Sequence, residues 1–567
     1  MQRMVKKLEE YTKEELLAYI GKLKKDIKFG LVWNPKDEQV VIDCDTKVPV
    51  LQEVTERTIT KAGTDEPTHL LLEGDNYHSL SVLNYTHAGK VDVVYIDPPY
   101  NTGNKDFIYN DHFVNREDPY RHSEWLSFMD NRLRLAKNLM ADTGVIFISI
   151  DDNEQAHLKI LCDTIFGEEN FITMFIWEKT QHFGRQKVNF YNNSEYILCY
   201  AKKLFDNGNL RELLIEYTKT EFEDAPLYNA SNPNNVLTFP AGSTKFNMPD
   251  GVYNKSEDEK YELLDKVTVK NGKNKNAFRL KFCSRWSAQT VLDEHEKGTT
   301  YWVKTTNFAI RAIYSNGKES NESPKQTIFT NRNNEFVTKS RFGVKAGTSE
   351  DGTSELSSIV GEQNIFNYPK PTTLIEYLLS IHDKADGIVL DFFAGSGTTG
   401  HAVMDLNRID GGKRQFILGT NNENGIAENV AYRRIKNVIE TIPANLRYFK
   451  TDFVDTNGLN TLTDNDKLEI TKQMGDMIAL RENSFNQVEQ TDHWQTYENG
   501  TQVTAIYFRE DKTHIQSYLD KLNAQDKPVK LYIFGWGKNA GAEYSSRKIS
   551  VEDIPEPLIE VYKELAK

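Results

Sequence analysis

Three nearly unbroken apolar runs limit the folds open to this chain more than any other feature: Val91–Ile96, residues 144–150 and residues 387–390. A strand with one face in water alternates apolar and polar side chains. A run without alternation has both faces covered, as in a parallel sheet flanked by helices. Leu70-Leu71-Leu72 and residues 415–418 repeat the pattern. Helical spacing falls between the runs, most clearly at Trp125, Phe128, Met129, Leu133, Leu135 and Leu139, and again over 431–439. Alternating strands and helices predict an α/β fold with a mostly parallel sheet.

The rhythm occupies 69–202, lapses, and returns over 363–440, which predicts two halves of one sheet split by an insert at 203–362. The insert is rich in Asn, Thr, Lys and aromatics and is expected to be mostly irregular or β. Residues 1–68 read as a helical and extended segment, with an amphipathic helix through Leu16, Leu17, Ile20, Leu23 and Ile27. Residues 441–567 read as an acidic α/β or α+β domain. No run approaches the ~18 apolar residues of a membrane span, and the N-terminus lacks the apolar core of a signal peptide, so a cytoplasmic protein away from membranes is expected. Cys44, Cys162, Cys199 and Cys283 share no Cys-x-x-Cys pairing, so neither a disulfide framework nor a metal centre is expected.

Two motifs carry chemistry. Gly395-Ser396-Gly397 follows an apolar strand and precedes a helix, where glycines let the backbone turn tightly and the helix N-terminus offers free N–H donors. Such a turn also serves many α/β proteins as a packing device. It lacks the lysine of a phosphate loop, so ATP hydrolysis is not expected. Glu423 falls just after the next strand, where a carboxylate can accept both ribose hydroxyls of a nucleoside; it also reads as a plain surface carboxylate. The second motif is Asp97-Pro98-Pro99-Tyr100 at the end of the Val91–Ile96 run. Two prolines hold the chain extended where α/β sheets place their ligands. The Asp97 carboxylate and Pro98 carbonyl accept, and Tyr100 supplies a flat face, a set that suits a planar molecule with an exocyclic amine.

Asp97-Pro98-Pro99-Tyr100 together with Phe393-x-Gly395-x-Gly397 resembles the signature of S-adenosylmethionine-dependent amino-group DNA methyltransferases. The amine motif precedes the cofactor motif across a long insert, the order of the β class of adenine-N6 enzymes. More narrowly, Gly30-Leu31-Val32-Trp33, Asp97 through Gly103, Thr420-Asn421-Asn422-Glu423-Asn424 and the run from Asn445 to Phe453 resemble the modification subunit of type III restriction–modification systems. The resemblance implies a Rossmann-like methyltransferase fold with an inserted target-recognition domain and a C-terminal α+β domain for dimerisation or partner docking. It implies that Asp391, Phe393, Gly395, Gly397 and Thr398 hold S-adenosylmethionine, with Lys370 near its carboxylate. It places the ribose at Glu423, with Asn421 and Asn422 left open, and Asp75 by the adenine; Asp75 reads equally as a helix N-cap. It also implies double-stranded DNA as substrate, a homodimer and a restriction subunit carrying helicase and nuclease activities.

Direct transfer to an adenine amine needs no covalent enzyme intermediate, and no cysteine has a nucleophile's context. The target base must leave the duplex to be reached. The resemblance also implies that the polar segment 101–122, with Asn101, Lys105, Arg116 and Arg121, closes over DNA; it reads equally as a solvated surface loop. Net charge is −14 overall, yet residues 266–345 hold 16 Lys and Arg against 6 Asp and Glu, with aromatics interleaved. This predicts phosphate contacts there, Lys281 and Arg285 among them. From 441 onward there are 15 basic and 20 acidic residues, a poor DNA surface. A solitary methyltransferase, an inactive specificity or scaffold subunit, and cytosine-N4 transfer remain the alternatives.

Overall fold

The structure is a computed structural model that describes Trp33 and residues 38–63, 66–103, 107–109, 112–114, 117–182, 192–218, 224–256, 260–314, 320–330, 337–509, 511–535 and 541–565. The amphipathic helix expected before Gly30 lies outside these residues, as do Lys105 and Arg116.

The central sheet is built from β1 (Lys47–Glu53), β2 (Ile59–Thr60), β3 (Thr68–Glu73), β4 (Val91–Ile96), β5 (Met140–Ile150), β6 (Phe171–Glu178), β7 (Ser194–Ala201), β8 (Thr327–Ile328), β9 (Ile388–Asp391), β10 (Gln415–Thr420) and β11 (Asn445–Asp455). Their order is β1-β11-β3-β10-β9-β4-β5-β7-β6-β8, with β2 against β11. The six strands from β11 to β5 run parallel, and antiparallel strands flank them. The apolar runs are continuous because both faces are covered. Val94, Ile96, Ile146, Ile148, Leu390 and Ile417 enter one core, while Val93, Tyr95, Val145, Phe147, Val389 and Phe416 enter the other.

Helices α1 (Asn76–Thr86), α2 (Arg121–Leu139) and α3 (Gln155–Phe166) cover the first face. Helices α4 (Ser349–Val360), α5 (Thr372–Ser380), α6 (Thr398–Asp410) and α7 (Arg433–Ile439) belong to the second half of the chain. The helix expected over 431–439 starts earlier, with a π-type turn at Ile426–Tyr432. Strands β4 and β9 are neighbours, paired Val93 to Val389 and Val94 to Leu390. From β4 the chain moves outward to β5, and from β9 it moves the opposite way to β10. Open α/β sheets bind their ligands at such a reversal, beyond the carboxyl ends of the strands.

The chain divides into two compact units, and the divisions differ from those expected. Residues 215–324 form one unit, so 203–214 and 325–362 belong with the sheet rather than the insert. Of the two readings of the insert, irregular or β, the second holds. The insert contains a seven-stranded and a three-stranded sheet and the helix Ala288–Glu296 around a core that includes Leu237, Phe239, Phe278, Leu280 and Tyr301. Residues 441–567 group with the first unit. They supply β11, and Leu558, Ile559 and Tyr562 of their last helix enter its core, where the Tyr562 hydroxyl donates to the Pro49 carbonyl at 2.7 Å. Among the described residues no helix is long and apolar enough to cross a membrane.

Residues 215–324 have a closed core, and Glu216–Thr218 pairs with Ser320–Glu322, which brings the two ends together. Expressed alone, this segment should give a β-type circular dichroism spectrum and a single cooperative thermal transition; a non-cooperative melt would contradict an autonomous unit.

Candidate active site

Strand β4 delivers Asp97 to the centre of the cleft. Its two carboxylate oxygens have separate partners: Oδ1 accepts from the Tyr100 hydroxyl at 2.7 Å, and Oδ2 from Lys370 Nζ at 2.7 Å. Lys370, 9% exposed, also donates to the Tyr100 oxygen at 2.9 Å and lies 3.5 Å from Glu195 Oε2. The same Glu195 oxygen is 3.2 Å from the Tyr100 hydroxyl, and Lys179 Nζ bonds the other at 3.1 Å. Burial works to raise the Glu195 carboxyl, but Lys370 and Lys179 hold it below its ordinary range. Burial likewise works against the Lys370 ammonium, and Asp97 and Glu195 outweigh it, so its pKa is raised. The Pro99 carbonyl is taken by the Trp125 indole N–H at 2.7 Å, which fixes the turn onto α2.

Beside it, β9 ends at Asp391, whose Oδ2 accepts from Thr399 Oγ1 at 2.6 Å and Oδ1 from the Phe393 amide at 3.0 Å. Burial pushes this carboxyl up to about 7. Gly395 and Gly397 have φ of +48° and +77°, which L side chains rarely adopt, and a Cβ on Gly395 would stand 3.0 Å from the Phe366 ring. The turn is anchored from behind by the fully buried Arg434, which donates to Thr398 Oγ1 and Thr372 Oγ1 at 2.8 Å each and to Glu355 at 3.2 Å.

Both motifs line one cleft of about 650 Å³. Phe128 and Phe393, centroids 5.8 Å apart, give it an aromatic wall. Asp75 lines it while capping α1 through the Tyr77 amide at 2.7 Å, so the two readings of this residue are compatible. Arg132, fully buried across the Phe128 ring, ties Asp75, Asn76 and Glu38 together. Of the three residues left open after β10, Asn421 and Glu423 face the cleft, whereas the Asn422 side chain accepts from the Glu428 amide at 3.3 Å.

Three of the expected residues have partners within the chain. Lys370, expected near a cofactor carboxylate, is bonded to Asp97 and Tyr100. Asn101, expected to face DNA, is completely buried. Its amide donates to Glu154 Oε1 at 2.6 Å and to the Arg121 carbonyl at 3.2 Å, which seats the chain just past Tyr100. Lys281 is engaged by Glu262 at 2.9 Å, whereas Arg285 is exposed. Arg121 Nε donates to His122 at 3.2 Å. His122, Glu154 and His157 bring ligating atoms within 4.8 Å of one another, a spacing the sequence did not suggest, but the Arg121 guanidinium beside them disfavours a further cation. Glu195 went unnoticed as a single charged residue in an apolar strand, and Arg132 and Arg434 as two among several charged residues on their helices, with no motif to mark any of the three.

The fold and cleft define a doubly wound α/β protein that binds its ligand where two adjacent parallel strands diverge. The chain belongs to the DNA methylase family, whose model matches residues 91–432. It is 34% identical over 406 residues to the type III restriction-modification enzyme StyLTI Mod subunit of Salmonella typhimurium strain LT2, covering 67% of this chain and 57% of that protein. It is 32% identical over 406 residues to the type II methyltransferase M.KpnI of Klebsiella pneumoniae, covering 69% and 90% respectively. To the type III restriction-modification enzyme EcoPI Mod subunit of Escherichia phage P1 it is 31% identical over 386 residues, covering 62% and 57%. The chain thus spans little more than half the length of these two Mod subunits.

Asp391 gives a test of the site's electrostatics. Folded, it keeps its proton up to about pH 7; unfolded, it releases it near the ordinary value of 3.8. Unfolding therefore releases a proton across that window, and this group's contribution to stability falls as pH rises through it. Asp391→Asn removes the titration. Its stability relative to the native chain should rise by on the order of 2–4 kcal/mol between pH 4 and pH 8 in urea unfolding. A pH-independent difference would contradict the buried carboxyl.

Proposed function

We propose that this chain transfers a methyl group from S-adenosylmethionine to N6 of adenine in double-stranded DNA. One observation carries the reading: Asp97-Pro98-Pro99-Tyr100 and the Phe393-x-Gly395-x-Gly397 turn leave adjacent parallel strands and open into one cleft. The donor set suits a nucleoside: Glu423 and Asn421 for ribose hydroxyls, an aromatic wall for a base, and a helix N-terminus at the glycine turn. Asp75, Asp391, Phe393, Gly395, Gly397, Thr398 and Glu423 would hold the cofactor. When bound, it supplies an electrophilic sulfonium methyl group.

The exocyclic amine of adenine is a weak nucleophile because its lone pair is delocalised into the ring. Donation of its two N–H groups to the Asp97 carboxylate and the Pro98 carbonyl favours a pyramidal nitrogen with the lone pair free to attack. Lys370 and Tyr100 hold Asp97 in one orientation without removing its accepting capacity, since a carboxylate has about four acceptor sites. Cytosine carbon-5 chemistry needs a thiolate. Burial pushes the Cys44 thiol up to about 12 and Cys162 and Cys199 well above their ordinary range, so none of these three is ionised at neutral pH.

The similarity to Mod subunits favours a modification and sequence-reading subunit of a type III system, with residues 215–324 as the recognition domain, a homodimer, and a restriction subunit as partner. The coverage of 90% of M.KpnI favours a second reading, a methyltransferase that works without a type III restriction subunit. Copurification of a restriction subunit from the native source would support the first; a lone active methyltransferase would support the second.

DNA from cells expressing the protein should carry N6-methyladenine at one sequence by single-molecule sequencing. Asp97→Ala should lower transfer by about a hundredfold or more while leaving cofactor binding measurable by calorimetry. Absence of modified adenine with the native chain, or full modification with Asp97→Ala, would refute the reading.

A further inference from the structure

We infer that Glu195 is a positioning and proton-holding residue for methyl transfer, acting on Asp97 through the hydroxyl of Tyr100. The inference rests on the methyl-transfer reading above. Transfer must dispose of a proton. The N6 lone pair forms the bond to the methyl carbon as the carbon–sulfur pair returns to sulfur, and the nitrogen then carries a positive charge until one N–H proton leaves. Asp97 is the first acceptor, and it must become a carboxylate again before it can accept from the amine of a second target base.

The structure offers one continuation. The Tyr100 oxygen stands 2.7 Å from Asp97 Oδ1 and 3.2 Å from Glu195 Oε2, and it carries a single proton for these two carboxylates. Rotated toward Glu195, the hydroxyl gives its proton to Oε2 as it receives one from Asp97, and Tyr100 ends neutral as it began. Phenolate never forms, in keeping with burial, which holds the Tyr100 hydroxyl well above its ordinary range. The proton lost by N6 then resides on Glu195 and Asp97 is a carboxylate again.

Charge permits the step without favouring it. Lys370 and Lys179 balance Asp97 and Glu195 before transfer, and the added proton leaves the group with one positive charge on whichever carboxylate it sits, so the hop separates no new charge; because the two lysines hold the Glu195 carboxyl low, Glu195 holds the proton only in passing. Glu195, 12% exposed on its side chain, also faces Tyr95 and Asp151, while Lys179, 25% exposed, lies on its outer side and opens the way to solvent. Lys370 is not the acceptor because it is already protonated.

The test uses the full chain with unmethylated duplex DNA carrying its target sequence and with S-adenosylmethionine. Glu195→Gln keeps a polar partner for Tyr100 and removes the proton acceptor. It should bind S-adenosylmethionine by calorimetry and extrude a 2-aminopurine placed at the target base, read by fluorescence, as the native chain does. Its single-turnover transfer rate should fall about a hundredfold, and the acid limb of the pH–rate profile should move relative to that of the native chain. Tyr100→Phe, which keeps the ring, should lose a similar factor, and the double variant should be no slower than either single variant because both interrupt one path. Glu195→Gln within twofold of the native rate at every pH overturns the inference, as do losses that multiply in the double variant. If Glu195→Gln loses its cooperative melt, Tyr100→Phe alone decides by the same rate and fluorescence readings. No transfer by the native chain overturns the methyl-transfer reading, and the inference with it. Transfer by the native chain beside an unaffected Glu195→Gln overturns the inference alone.

Discussion

The parallel pairing of β4 with β9 is the constraint on which the rest depends. Each strand leaves the sheet at its carboxyl end with its own short motif, and only their adjacency places Asp97 and Asp391 in one cleft. The two strands are nearly 300 positions apart in the chain, so the site cannot form until both halves of the sheet have docked. This explains why an insert with its own core can sit between them. As a compact unit at 215–324, it adds loop length, whose closure cost grows only with the logarithm of the number of residues.

Buried cations hold the two motifs against this sheet. Arg132 gathers Glu38, Asp75 and Asn76 behind one wall of the cleft, and Arg434 gathers Glu355, Thr372 and Thr398 behind the glycine turn. Lys370 does the same for Asp97 and Glu195. A guanidinium presents five donors in a fixed plane, which suits it to a multi-partner post. An ammonium is a compact point charge with three donors, and at Lys370 it meets two carboxylates and a hydroxyl. The lysine therefore stands where charge must be tuned, and the arginines where geometry must be fixed.

The sheet was legible because its information is local. Unbroken apolar runs report two covered faces, and Asp-Pro-Pro-Tyr and Gly-Ser-Gly report the ends of β4 and β9. Glu195 and Arg434 were not legible because their roles exist only after strands and helices distant in sequence have packed. Asn101 was misread for the opposite reason. It is polar and follows the amine motif, which suggests an exposed ligand contact, but a left-handed backbone at φ +56° turns its amide inward onto Glu154. The sequence leaves the insert between irregular and β because its strands are short, two to six residues, too few for a periodic pattern to emerge.

Charge along the sequence is a poorer guide than charge in space, and residues 266–345 show why. Sixteen basic residues against six acidic ones suggest a strongly positive surface. Two of those basic side chains, Arg279 and Lys281, lie on a strand that meets Asp265 and Glu262 across the hairpin, at 2.8 and 2.9 Å. Both acids fall just outside the counted window, so the sum keeps the cations and omits the anions that neutralise them. A third, Lys297, pairs with Glu294 at 2.8 Å. Phosphate binding requires positive charge whose counterions are released to water, and side chains already paired to carboxylates supply little of it. Lys245 and Lys304 lie 5.6 and 4.1 Å from the ring of Trp302. Cations held over an aromatic face keep their charge, and the ring beside them offers a surface on which a base can stack.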